Sequence, residues 1–148
     1  MALEILERNY SEPELVLIGI KDNGNIIADK LADFLKEIYT GEVIVTALLI
    51  DKKQPGKVTI EPAVDLNNKV VILIDDVANS GRTMLYSLQP LLQSFPKKIQ
   101  TAALVERTHK SFPIALDYVG LSISTTLDEH IYVEAANNEV EGAWIETK

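Results

Sequence analysis

The stretch VVILIDDVANSGRT, residues 70–83, decides the fold of this chain. Its opening residues 70–74 are apolar without alternation, the pattern of a strand buried on both faces in a parallel sheet covered by helices. Asp75 and Asp76 follow at the carboxyl end of that strand, and ligands of open α/β sheets bind just outside that end. Asn79, Ser80 and Gly81 suit a tight turn, and Arg82 and Thr83 open a segment through Leu92 that reads as a helix. Amides of such a turn, together with a helix dipole, favour a phosphate, while paired carboxylates accept hydrogen bonds from neighbouring sugar hydroxyls. The stretch therefore reads as a place for a sugar that carries phosphate.

Outward from it, residues 3–8 suit a short helix, and 15–20 (LVLIGI) form a second compact apolar strand ending in Lys21, Asp22, Asn23 and Gly24. Ile26, Ile27, Leu31, Phe34, Leu35 and Ile38 recur at helical spacing, so a helix is expected over 25–39, capped by Asn25 and ended by Gly41. Residues 42–50 are strand-like and run into DKKQPG, a turn or mobile loop, after which 58–60 can return as an edge strand. Pro90 should kink or divide the helix from Arg82, and Pro96 marks its end. Residues 99–105 read as the next buried strand, with shorter ones at 118–119 and 131–134. Strands alternating with helices predict one α/β domain with a central, mainly parallel sheet, a core over about 15–105 and a small carboxyl-terminal hood over about 106–148.

The 148 residues suffice for one domain with a sizeable core. A net charge of -8 argues against a broad nucleic-acid footprint. With no cysteine, disulfides and thiolate metal sites are excluded, and two histidines about twenty residues apart make no zinc spacing. The charged start and the absence of a long apolar run lead to the expectation of a cytoplasmic protein without membrane contact. The turn is not a Walker loop, because the spaced glycine and the Lys are missing.

Residues 70–83 resemble the phosphoribosyl pyrophosphate (PRPP) signature of type I phosphoribosyltransferases: an apolar strand, two acids, a short variable link and Thr/Ser-Gly-Arg/Lys-Thr. IGIKDNG, residues 18–24, is similar to that family's pyrophosphate loop. ALVERTHKSFPIALDYVG, residues 103–120, resembles one branch, the bifunctional pyrimidine operon regulators with uracil phosphoribosyltransferase activity. The resemblance implies the type I phosphoribosyltransferase fold. It also implies that Asp75 and Asp76 hold the ribose hydroxyls, with Mg2+ arriving through PRPP, and that Ala78, Asn79, Ser80, Gly81, Arg82 and Thr83 wrap the 5-phosphate. Lys21, Asp22, Asn23 and Gly24 would meet the pyrophosphate. Glu106, Arg107, Tyr118, His130 and Ile131 would form the base pocket and hood, and the assembly would be a homodimer or larger.

Three departures narrow the reading. Purine enzymes of the family usually carry an acid near Asn79 and a Lys near Glu106; both are absent, which favours a pyrimidine base, uracil first. The loop that usually carries a catalytic Arg has only Lys52, Lys53 and Lys57, point donors without the fork of Arg, and a basic residue common at Asn23 is missing. His109 and Lys110 lie where the regulators have a basic pair implicated in RNA contact, but two residues make a poor footprint, so RNA is not expected as a partner. His109 reads as a surface residue, His130 as a candidate for stacking on a base, and Tyr118 with Val119 as either core or pocket wall. The expected activity is transfer of phosphoribose from PRPP to a pyrimidine. The rivals are a PRPP or nucleotide sensor without efficient transfer, an RNA attenuator, and an α/β phosphotransfer receiver.

Overall fold

A computed structural model describes residues 1–51, 53, 54 and 56–147. The chain runs through α1 (Ala2–Asn9), β1 (Glu14–Ile20), α2 (Asn23–Ile38), β2 (Glu42–Ile50), β3 (Val58–Glu61) and β4 (Val70–Ala78). It continues with α3 (Arg82–Ser87), α4 (Gln89–Leu92), β5 (Lys98–Arg107), β6 (Tyr118–Ile123), β7 (Glu129–Ala136) and β8 (Glu139–Thr147). One six-stranded sheet has the order β3-β2-β1-β4-β5-β6, and β7 pairs with β8 in a separate antiparallel sheet. Within the large sheet only β3 is antiparallel to its neighbour, so the α/β, mainly parallel expectation holds.

Strand periodicity explains the two-sided core. Leu15, Leu17, Val70, Ile72 and Ile74 face α1 and α2, where they meet Ile5, Ile27, Leu31 and Leu35. Val16, Ile18, Val71 and Leu73 face the other way, against Met84 of α3 and Leu91 of α4. Because 70–74 are all fully buried, each large side chain there contributes about 1.5–3 kcal/mol by leaving water, which is why the run carries no polar residue before the acids.

Several expected boundaries move for identifiable reasons. α2 begins at Asn23 rather than Asn25, with Asp22 as its cap residue at φ 67 and no side-chain cap bond. Asn25 lies in the first turn, tight against β1: a Cβ on Gly19 would stand 2.6 Å from the Asn25 Cα. Gly41 does not terminate the helix; Tyr39 already leaves it in an extended conformation, and Gly41 makes room for the Tyr39 ring. α3 and α4 divide at Leu88, two residues before Pro90, as a missing backbone donor requires.

β4 runs through the acids to Ala78 because β5 is long enough to keep pairing with it, Asp75 opposite Ala103 and Ala78 opposite Glu106. The boundary at about 106 also shifts. β6 joins the large sheet beside β5, so the smaller unit is the β7–β8 hairpin alone. β8 carries no buried residue and hence no apolar alternation to read; it is created by the turn at Asn137 and Asn138, both at positive φ, a conformation Asn tolerates in tight hairpins. Ile131 and Val133 of β7 seat the hairpin on Val105 of β5.

Candidate functional site

From β1 the chain moves outward through β2 and β3, then returns to build β4 on the other side of β1. The carboxyl ends of β1 and β4 therefore flank the point where the connections diverge, the crevice where ligands of open sheets bind. β1 stops pairing with β4 at Gly19 opposite Ile74, while β5 continues, so Asp75 and Asp76 project from a strand that has lost one neighbour. α2 starts directly over this end: a Cβ on Gly24 would stand 2.8 Å from the Ile74 carbonyl oxygen, a separation only glycine permits.

The acids are held by short local bonds. Asp75 is buried, and its Oδ1 accepts the Asp76 amide at 2.9 Å. Asp76 Oδ1 accepts the Val77 amide at 2.8 Å, and its Oδ2 accepts Asn23 Nδ2 at 2.9 Å. The same Asn23 nitrogen donates to the Val133 carbonyl of β7 at 2.8 Å.

The turn after β4 closes at Gly81, φ 84, a conformation that favours glycine. Ser80 Oγ accepts the Arg82 amide at 3.3 Å, and the Ser80 carbonyl accepts the amides of Ser111 and Phe112 from the segment after β5. Asn79 Oδ1 is buried without a hydrogen-bond partner among the described residues.

A cavity of about 300 Å³ lies between these parts. Its floor is Asp75, Asp76 and Asn23, one side is the turn 78–83, and the facing wall is Ile131, Tyr132 and Val133. A second, more open cavity of about 740 Å³ lies between Lys21, Asp22 and the β2–β3 hairpin, with Asp51, Lys53, Lys57 and Glu61 on its walls. The loop 21–24 is thus split: Asn23 faces the acids, whereas Lys21 and Asp22 face the hairpin. Lys53 and Lys57 join Lys21 there, and Lys52 lies outside the described residues.

The structure brings Asp75, Asp76, Ala78, Asn79, Ser80, Gly81, Arg82, Thr83, Asn23 and Ile131 to one cavity. It does not bring Glu106, Arg107, Tyr118 or His130 to the walls of that cavity. Glu106 is paired with Lys110 and reached by Ser122 Oγ at 3.4 Å. Arg107 donates to the Thr126 carbonyl at 2.5 Å. Tyr118 is core: fully buried, it donates to Gln100 at 2.9 Å and accepts from Asn9 at 3.2 Å, and burial pushes its phenol pKa up. His130 stands beside the wall, its ring centred 6.5 Å from that of Tyr132, so Tyr132 is the aromatic on the cavity. Tyr132 and Val133 fall inside the strand read at 131–134, but which of its residues face the turn depends on how the hairpin docks.

Among the described residues no group of three or more His, Cys, Asp or Glu could cage a metal. Two adjacent carboxylates on one cavity do fit Mg2+, which is ordinarily held by one or two carboxylates plus substrate oxygens and water.

An α/β sheet with paired acids and a tight turn at its switch point has the architecture of a ligand-binding α/β domain. The phosphoribosyl transferase domain family matches residues 1–137, and the chain belongs to that family. It is 39% identical to the "Bifunctional protein PyrR" of Ligilactobacillus salivarius (strain UCC118), covering 96% of this chain and 85% of that one. It is 37% identical to the "Pyrimidine operon regulatory protein" of Lactococcus lactis subsp. lactis (strain IL1403), covering 92% and 82%. These relatives put it in the pyrimidine operon regulator branch.

Solved structures share the fold. A hypoxanthine-guanine phosphoribosyltransferase of Bacillus anthracis superposes with a TM-score of 0.68 at 23% identity, over 88% of this chain and 75% of that one. The hypoxanthine phosphoribosyltransferase of Trypanosoma cruzi gives 0.72 at 16% identity, over 83% and 73%. The type I phosphoribosyltransferase fold is thereby established. No helix among the described residues is long and apolar enough to cross a membrane.

Proposed function

We propose that this chain transfers the phosphoribosyl group of PRPP to a pyrimidine base, uracil first, with release of pyrophosphate. The observation that carries the reading is the single cavity into which Asp75, Asp76 and the turn 78–83 all open. Asp75 and Asp76 accept the two ribose hydroxyls. The turn amides, with the Ser80 and Thr83 hydroxyls, hold the 5-phosphate, and the Ile131–Val133 wall covers the base.

A base nitrogen forms its bond to the anomeric carbon and gives up its proton to solvent or the departing pyrophosphate, as the bond from that carbon to the pyrophosphate oxygen breaks. Positioning and charge stabilisation supply the acceleration. Mg2+, bound through PRPP near Asp75 and Asp76, would neutralise charge on the departing pyrophosphate. Lys21, Lys53 and Lys57, gathered on the second cavity, are the lysines that would meet that leaving group. Asn79 where purine enzymes of the family carry an acid, and Glu106 where they carry a Lys, support a pyrimidine over a purine.

Incubation with Mg2+, PRPP and each of uracil, hypoxanthine, guanine and orotate, following pyrophosphate release, should show turnover with uracil. Micromolar PRPP binding with no turnover on any base would replace transfer by a sensor. A homodimer or larger assembly and a cytoplasmic location belong to the same reading, and light scattering tests the assembly.

A second reading, regulation of a pyrimidine operon, is favoured by a relative's name, and RNA is the partner through which it would act. The net charge of -8 weighs against RNA binding. Specific retention of pyrimidine-leader RNA in a gel shift at moderate salt and micromolar protein would support it.

A further inference from the structure

We propose that the side chain of Asn23 is a positioning residue that ties Asp76 to the hood and so fixes the width of the cavity between the acids and the β7 wall. This goes beyond the placement of Asn23 in a pyrophosphate loop, and only its kinetic consequence rests on the function proposed above.

One nitrogen carries the tie. Asn23 Nδ2 lies 2.9 Å from Asp76 Oδ2 and 2.8 Å from the Val133 carbonyl oxygen. An amide nitrogen has two hydrogens, and a carboxylate and a carbonyl are acceptors only, so the nitrogen must face both and both hydrogens are spent. Asn23 therefore keeps no side-chain donor for pyrophosphate while both bonds stand. Asp76 is fixed from two sides, by Asn23 on Oδ2 and by the Val77 amide on Oδ1.

The other contacts of the hairpin do not fix its position in the same way. Val105, Ile131 and Val133 form an apolar cluster that holds β7 on β5, but apolar burial is non-directional. Lys30 pairs with Glu139 on β8, with side-chain exposures of 32% and 68%, and exposed pairs of this kind contribute little. The Asn23 bonds are part-buried and directional, and one of them ends on a carboxylate, which strengthens it. Asp22, at φ 67 and ψ -112, turns the backbone so that Asn23 opens α2 above the end of β4.

The test compares the full chain with Asn23→Ala by amide hydrogen exchange and steady-state kinetics. Loss of the tie should speed exchange of the β7 and β8 amides about tenfold, the scale of one net hydrogen bond, with the β1 and β4 amides unchanged. The KM values for PRPP and for the base should both rise, that for the base about tenfold, because losing the amide frees Asp76 as well as the wall. Asn23→Asp, which sets an acceptor against two acceptors, should show the same faster exchange and raised KM. Asn23→Ser serves under the same criteria if the alanine variant does not fold.

Hairpin exchange within about twofold of the parent would overturn the tie, as would faster exchange with an unchanged KM. If the parent chain neither binds PRPP nor transfers phosphoribose, the proposed function fails, while the exchange comparison still decides the tie.

Discussion

The carbonyl of Ser80 accepts the backbone amide of Ser111 at 3.0 Å. Phe112 adds a second amide to the same oxygen at 3.1 Å, and Ile114 covers Gly81 so closely that a Cβ there would stand 2.4 Å from its Cγ2. The phosphate turn after β4 and the segment after β5 are therefore one unit, although some thirty residues separate them in the chain.

Gly81→Ala should destabilise the protein by about 2–4 kcal/mol, combining a positive φ with overpacking against Ile114. PRPP affinity by calorimetry should fall at least about tenfold, since the turn amides lose their aim. Adding Ile114→Ala should return only the packing part of the stability.

Asp76→Asn and Asp75→Asn should each weaken PRPP binding at least about tenfold, because a neutral amide replaces an ionised acceptor for the ribose hydroxyls. In Asp75→Asn the amide oxygen can still accept the Asp76 amide, whereas in Asp76→Asn one oxygen cannot serve both the Val77 amide and Asn23, so that variant should lose about 1–2 kcal/mol in urea. Unchanged PRPP affinity in both variants would show that the acids are not the sugar site.

Tyr118→Phe should cost about 1–2 kcal/mol, because Gln100 and Asn9 lose a buried partner, and should leave PRPP affinity unchanged. The Tyr118 phenol is raised from 10.0 chiefly by burial. A pKa higher in the folded than in the unfolded chain gives stability that is complete below pH 10.0 and is lost as pH rises through the folded value. Denaturation midpoints should therefore be flat from neutrality to about pH 9 and fall beyond pH 10, less steeply in Tyr118→Phe. Tyr39, raised by burial and by Glu12 and Glu14, adds to the same slope.

Lys110→Met should destabilise by about 1–3 kcal/mol, since it leaves the mostly buried Glu106 without its cation. Glu106→Gln with Lys110→Met should recover part of that loss, giving a coupling energy in a double-mutant cycle by urea denaturation. A coupling of zero would mean that the pair does not hold the segment after β5.

Local sequence carried the parallel sheet, the acids and the turn. Residues 70–74 can only be buried on both faces, and Asn79, Ser80 and Gly81 can only turn, so hydrophobicity and backbone conformation announce them without a partner. The hood was less legible. Glu139 to Thr147 has no buried residue, so its strand depends on β7 and a two-residue Asn turn.

Tyr118 shows the same limit from the other side. An aromatic beside Val119 suits a pocket or a core equally, and only its bonds to Gln100 and Asn9, eighteen and 109 residues away, make it core. The chain by itself determined that two acids and a phosphate turn close a buried strand, because those features rest on neighbouring residues. Tertiary structure alone decided that Asn23 spans Asp76 and Val133, that Lys21 faces a different cavity, and that Tyr132 rather than His130 lines the wall. Each of these joins residues from distant segments, and the joint geometry comes from sheet order and hairpin docking, which no local pattern encodes.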